Sequence, residues 1–423
     1  MWISSLALCL APLLQDAASA PRLPFPVPCT IDAWLECPGG RIEFKLDVRA
    51  PRGKGGTPTF ALLGGARRED LVWIERWEKT PTSIVLHIDS YDSHIEFPDM
   101  QAVVPLKGTW KKLRGPDDWL EMPLRGNVNS ATPTAPAAAA TSPSAPIDGR
   151  WSVKFASSDT PAIGVFAHPS PDKLSGTFLT TLGDYRYLAG GYDYANKRWQ
   201  LSCFDGAHAF LFTAKPQEDG TLSGEFWSGD KSPETWTAKR DAQAALPDAF
   251  GLTREKSGVD LSKLVFTAAD GSKVSLADPK FAGKPRIIQL FGSWCPNCND
   301  EAEYLKVLEY KYRNSGLLVI GLGFELTGDE QRDLAQLALF AKRHSLTYPL
   351  LLAGKSDKAE ASRAFPLLDA VRAFPTTIFL RADGSVLAVH QGYSGPATLE
   401  AHQKLRLDFE RRIQELIAVK KSR

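Results

Sequence analysis

The sequence predicts a multidomain chain: a C-terminal α/β domain, built as a mixed sheet with flanking helices, preceded by a duplicated antiparallel β region that forms a barrel or a sandwich. Three observations lead there. Over the last 175 or so residues, short apolar runs alternate with amphipathic stretches at helical spacing, which is the pattern of parallel strand pairing. Upstream, two strand-like regions carry the same pair of motifs in the same order. A stretch rich in Ala, Pro, Thr and Ser, residues 128–146, separates them as a linker. The length of 423 residues agrees with about three domains. With Lys+Arg 50 against Asp+Glu 49 there is no basic excess, so nucleic acid and anionic membrane surfaces are not expected partners.

Residues 1–20 open with an apolar run from Met1 to Leu14 and end Ala18-Ser19-Ala20, the pattern of a cleavable signal peptide. The expectation is export to the periplasm or cell envelope. No Lys or Arg precedes the apolar run, and Pro21 directly follows the small residues. Leu8 is too large for a lipoprotein signal at Cys9, and the run is shorter than the roughly 18 residues a membrane span needs.

The first β unit is placed at 22–125. Its Cys29 and Cys37, among Pro28, Pro38, Gly39 and Gly40, would pair as a structural disulfide in an oxidising compartment; the alternative is two isolated thiols. The second β unit is placed at 148–240, and Cys203 in its apparent strand 199–204 reads as a buried small hydrophobe. Leu106-Lys107-Gly108-Thr109-Trp110 parallels Leu222-Ser223-Gly224-Glu225-Phe226. Upstream, Tyr91-Asp92-Ser93 parallels Phe204-Asp205-Gly206. The two halves are therefore read as a duplication, either two small sandwiches or one barrel closed between them. Aromatics such as Phe178, Tyr185, Tyr187 and Trp227 form either a ligand surface or, more in keeping with such residues, a packed sheet face. Histidines 87, 94, 168, 208, 344, 390 and 402 show no metal-ligand pairing.

The C-terminal domain is placed at 248–419. Its apolar run Ile287-Ile288-Gln289-Leu290-Phe291 leads to Trp294-Cys295-Pro296-Asn297-Cys298, a pair of cysteines at the start of a helix. Such a pair can close a small disulfide ring, and a helix N-terminus favours the thiolate of the first, Cys295. Zinc would need two further ligands, and no second close cysteine pair exists. Two reduced core cysteines are the other alternative. Helical spacing then predicts a helix over 299–313, a buried strand over 317–322 and a second helix over 329–344. The segment 371–380 places Pro375 at the mouth of a β-branched and aromatic strand, where a cis bond would let the backbone double back. The turn Arg381-Ala382-Asp383-Gly384 leads into a strand over 385–391, and a long helix over 396–419 closes the chain.

Taken together, Phe291-Gly292-Ser293-Trp294, the dithiol Cys295-Pro296-Asn297-Cys298, Glu301 and Pro375-Thr376-Thr377 before Ile378-Phe379-Leu380 make residues 250–419 resemble a thioredoxin-fold domain of the TlpA/ResA type of thiol-disulfide oxidoreductase. The resemblance implies that Cys295 attacks a substrate disulfide, Cys298 resolves the mixed disulfide, and Pro375 is a cis-proline facing the dithiol. Trp294, Pro296, Asn297, Phe374 and Thr376 would then lie next to the substrate. Glu301 either tunes the thiols, as its family counterpart is thought to, or is a solvated residue of the helix's first turn. Gln289 stands where thioredoxin has a buried acid, and Ala302-Glu303-Tyr304 where the family often has proline.

The implied function is an exported disulfide reductase acting by dithiol/disulfide exchange, without a cofactor. Its partners would be a disulfide-bearing protein or small molecule and, by resemblance, a membrane thiol-electron donor. Because Pro296-Asn297 is an uncommon dipeptide, an oxidase or isomerase using the same site is an alternative. A third is an envelope binding module in the β region, with the dithiol domain as accessory.

Overall fold

The computed structural model describes residues 23–53, 56–64, 71–98, 105–129 and 146–418. The leader expected at 1–20 and residues 130–145 of the linker lie outside the described residues.

The first unit is one nine-stranded antiparallel sheet. Its strands are β1 (Cys29–Cys37), β2 (Gly40–Arg49), β3 (Thr59–Leu63), β4 (Leu71–Trp73), β5 (Arg76–Lys79), β6 (Ser83–Ile88), β7 (Ser93–Pro98), β8 (Leu106–Gly115) and β9 (Asp118–Asn129). They pair in the order β4-β3-β2-β1-β9-β8-β7-β6-β5. Alternation dictates which face is buried: Ile31, Ala33 and Leu35 of β1 and Ile42, Phe44, Leu46 and Val48 of β2 point inward.

The second unit has the same winding but closes. Its strands are β10 (Gly149–Phe155), β11 (Ala162–Ser170), β12 (Lys173–Thr180), β13 (Gly183–Asp184), β14 (Leu188–Asp193), β15 (Arg198–Phe204), β16 (Ala209–Pro216), β17 (Leu222–Ser228) and β18 (Glu234–Arg240). First pairs with last, β10 with β18, as β1 pairs with β9. Here β11 also pairs with β12 and β12 with β14, which completes a ring of eight strands with β13 hung on β12. Phe155, Phe166, Phe178, Phe212 and Trp236 fill the interior, so the barrel is a packed core.

The sequence left two sandwiches or one joint barrel open, and the outcome is neither: one open sheet and one barrel closed on itself. The two units still share a core, in which Phe204, Leu211 and Trp227 of the barrel join Phe44, Leu46 and Trp110 of the sheet. The paired motifs occupy equivalent places. Asp92 and Asp205 lie in the turns β6–β7 and β15–β16, and Gly108 and Gly224 lie in β8 and β17. The two turns touch: Ser93 Oγ donates to Gly206 O at 2.6 Å, and Lys112 Nζ donates to Ala207 O.

The expected Cys29–Cys37 disulfide is absent, because the two residues end the same strand, β1. Eight extended steps of about 3.3 Å hold their Cα atoms roughly 26 Å apart, against the ~6 Å that a disulfide spans.

The third unit is a seven-stranded mixed sheet. It contains β19 (Val265–Ala268), β20 (Lys273–Ser275), β21 (Arg286–Phe291), β22 (Leu318–Glu325), β23 (Leu350–Lys355), β24 (Thr376–Leu380) and β25 (Val386–Gln391), in the order β20-β19-β23-β22-β21-β24-β25. β21, β22 and β23 run parallel, and β24 runs antiparallel beside β21 with Ile378 opposite Ile288. The helices are α1 (Pro296–Tyr312), α2 (Glu330–His344), α3 (Lys358–Ala364) and α4 (Glu400–Ala418). Ile287, Val319 and Phe379 pack on Leu305 and Leu308 of α1 and Phe409 and Ile413 of α4. Ile288, Ile320 and Ile378 pack with Leu337 and Phe340 of α2. Both faces of the central strands are thus covered, which explains their unbroken apolar runs. α1 starts three residues before its periodicity suggested, because Cys295 caps it and Pro296 is preorganised for its first turn. The final helix is interrupted at Leu399, at φ 50°, after a 3-10 turn over Pro396–Thr398.

Candidate active site

The dithiol sits where β21 ends and α1 begins, at the carboxyl edge of the parallel strands. Cys295 has extended backbone and serves as the N-cap, so its sulfur stands over the open end of the helix. The Cys298 N–H donates to Cys295 Sγ at 3.3 Å, and the Cys295 thiol reaches Phe374 O at 3.6 Å. Cys295 is 8% exposed and Cys298 is fully buried behind it, so a substrate sulfur can reach only the first. Burial, then the neighbouring Cys295, pushes the Cys298 thiol well above its ordinary range.

The loop carrying the pair is pinned from both sides. Asn299 Nδ2 donates to Ser293 O at 3.0 Å and to Cys295 O at 2.8 Å, and Trp294 Nε1 donates to Phe324 O at 2.9 Å. The Trp294 ring meets Phe374 edge-on, with centroids 5.9 Å apart. The Phe374–Pro375 peptide is cis. Thr376, also buried, donates through Oγ1 to Ala373 O at 2.8 Å, and Gly392 N–H donates to Pro375 O at 2.9 Å. The proline loop is therefore held by its own strand and by the turn after β25.

Two carboxylates lie beneath the dithiol, both fully buried. Glu301 is no solvated surface residue: Gln289 Nε2 donates to its Oε2 at 2.8 Å and Thr377 Oγ1 to its Oε1 at 2.6 Å. Burial outweighs these bonds and pushes its pKa up to about 7. Gln289 also reaches Cys298 O at 3.3 Å, tying strand, acid and second cysteine together. The other acid, Glu325, was missed in the sequence. It ends β22 and accepts from Ser293 N at 3.0 Å and Ser293 Oγ at 2.7 Å, two residues before Cys295. Burial raises it to about 7 as well. An acid closing the apolar run 317–324 was the available signal.

Both β units reach this region. Asn297 Nδ2 donates to Asp184 O at 3.3 Å, Arg186 pairs with Asp300, and Gln391 Nε2 donates to Thr181 O at 3.0 Å. From the first unit Asp92 pairs with Arg332 of α2, and Glu75 with Arg343 at 2.9 Å. Burial raises Asp92 to about 6 despite Arg332. Among the described residues no cluster of three or more His, Cys, Asp or Glu side chains could hold a metal, and no helix is long and apolar enough to cross a membrane.

Residues 233–404 match the Redoxin family. The thiol-disulfide oxidoreductase ResA of Bacillus thuringiensis subsp. konkukian is 27% identical over 147 residues, covering 35% of this chain and 76% of the relative. The thioredoxin-like protein YneN of Bacillus subtilis is 29% identical over 138 residues, covering 33% and 72%. The crystal structure of a putative thiol:disulfide interchange protein DsbE from Chlorobium tepidum overlays 39% of this chain and 99% of its own, at 17% identity and a TM-score of 0.31.

Proposed function

We propose, for a chain whose C-terminal part is a thioredoxin-like domain of the TlpA/ResA type and hence a thiol-disulfide oxidoreductase, that it is exported and reduces disulfides of protein or small-molecule substrates in the cell envelope. The observation that carries the reading is the cap geometry: the Cys298 N–H is aimed at Cys295 Sγ at 3.3 Å, with Cys298 buried behind. A thiolate at that cap is favoured by the helix dipole and by the N–H, so Cys295 is the nucleophile.

In the first step Cys295 Sγ⁻ attacks one substrate sulfur, a Cys295–substrate disulfide forms, and the other substrate sulfur leaves as thiolate. The Cys298 thiol must then lose its proton before its sulfur can attack Cys295 Sγ. Glu301, with a pKa near 7, is suited to accept that proton close to neutrality. The second substrate thiolate leaves and the Cys295–Cys298 disulfide forms. Two electrons pass to the substrate, which takes up two protons as it is released as thiols. A thiol donor returns the two electrons by the same exchange in reverse.

The test is the reduction potential of the pair, read by equilibrating the protein in defined thiol buffers and counting reactive thiols by mass. A value near about −270 mV supports reduction, whereas one near about −120 mV turns the assignment to oxidation. If no two-electron transition links Cys295 and Cys298, the dithiol reading fails altogether.

A further inference from the structure

We propose that the barrel hairpin spanning residues 180–186, between β12 and the chain leading to β14, is a positioning element of the dithiol site: it fixes Asn297 and the turn behind Pro375, and so sets the reactivity of the two cysteines. The inference rests on the dithiol reading above and gives the barrel a role within that chemistry.

The hairpin is shaped by its own bonds. Thr180 Oγ1 donates to Gly183 O at 2.9 Å and accepts from Leu182 N–H at 3.2 Å, while Asp184 Oδ1 accepts from Arg186 N–H at 2.8 Å. It meets the thiol site at two separate places. At the first, Asp184 O accepts from Asn297, the residue just before Cys298. Gly183 has φ 147°, and a Cβ built there would stand 2.1 Å from Asn297 Nδ2, so a larger residue would push the Asn297 amide off Asp184 O. At the second, Thr181 O accepts from Gln391 Nε2, and the backbone of Thr181 and Leu182 lies against Gly392, whose N–H holds Pro375 O at 2.9 Å. Asp184 Oδ2 also accepts from Gly395 N–H at 2.6 Å in the same turn. Arg186 adds an ion pair to Asp300 of α1, two residues past Cys298.

Asn297 directly precedes Cys298, whose N–H faces Cys295 Sγ. Where the hairpin holds Asn297 therefore decides where that N–H stands relative to the sulfur, and with it how well the thiolate is stabilised. A better stabilised thiolate favours the reduced pair and raises the potential.

The experiment uses the full chain in glutathione buffers and compares wild type, Gly183→Ala, Asn297→Ala and the double variant. Gly183→Ala is expected to change the equilibrium constant with glutathione at least tenfold, about 30 mV. That effect should shrink below twofold in the Asn297→Ala background, which a general loss of stability would not produce. Should Gly183→Ala fail to fold, Asp184→Ala, which frees the Gly395 N–H in the turn behind Pro375 and leaves the backbone contact to Asn297, is measured in its place against wild type alone and is expected to change the constant at least tenfold. A constant within twofold of wild type, or an undiminished Gly183→Ala effect in the Asn297→Ala background, overturns the proposal. A wild-type protein without a two-electron transition overturns the dithiol reading instead.

Discussion

Two sulfurs in one helical turn differ in access, and their order of attack follows from that difference. Cys298→Ser should leave Cys295 able to attack but unable to be released, so a cysteine-linked adduct should accumulate under oxidising conditions and be recovered by mass spectrometry at Cys295. Cys295→Ser should yield none. The buried acids make a second prediction. Glu301 and Glu325 move from about 4.5 when unfolded to about 7 when folded, so the native state holds extra protons between those values. Their contribution to stability is therefore lost as pH rises from about 4.5 to about 7, on the order of 3 kcal/mol each for shifts of this size. Glu301→Gln and Glu325→Gln should each flatten the fall in urea midpoint between pH 5 and pH 8. At this scale the dithiol and Pro375-Thr376-Thr377 could be read in the sequence because each is a run of neighbours. The clamp on Glu301 could not, since Gln289 and Thr377 come from two strands that meet only in the fold. Cys29 and Cys37 misled for the opposite reason: close in sequence, they are held apart by a single extended strand.

Elements repeat more faithfully than residues. The turns bearing Asp92 and Asp205 and the strands bearing Gly108 and Gly224 were visible as a duplication, because each motif is local. Closure was not visible, because it depends on β12 pairing with both β11 and β14, a matter of edges finding each other. The difference can be tested at the two glycines. A Cβ at Gly224 would overlap Thr213 O and the Trp236 ring, inside a wall whose strands are all paired. A Cβ at Gly108 would meet Glu96 O at 2.8 Å and the Phe97 ring at 3.0 Å, in a sheet that does not close on itself among the described residues and can splay. Gly224→Val should cost about 3 kcal/mol or more and Gly108→Val less, as measured by chemical denaturation.

Beyond the apolar core that the two β units share, charged contacts join the dithiol domain to both of them, and Arg186 is the most heavily committed of these groups. Burial would lower its pKa, but Asp300, Asp184 and Asp205 around it raise it well above the usual value. Arg186→Ala removes the buried cation that Asp300, Asp184 and Asp205 share, a change expected to cost about 3–5 kcal/mol. The urea transition of the barrel should then separate from that of the dithiol domain. None of this could be read from the sequence, because Arg186 and Asp300 lie 114 positions apart.

The remaining thiols are placed quietly. Burial and the charge of Asp47 push Cys29 up to about 11, burial raises Cys37, and Cys203 lies inside the barrel wall. An alkylating reagent near pH 8 would find these three protonated or shielded. Burial shields and protonates Cys298 as well, so among the described cysteines the labelling signal comes from Cys295, which is free in the reduced pair and blocked in the oxidised one, and none of the other described cysteines has to be engineered away to read it.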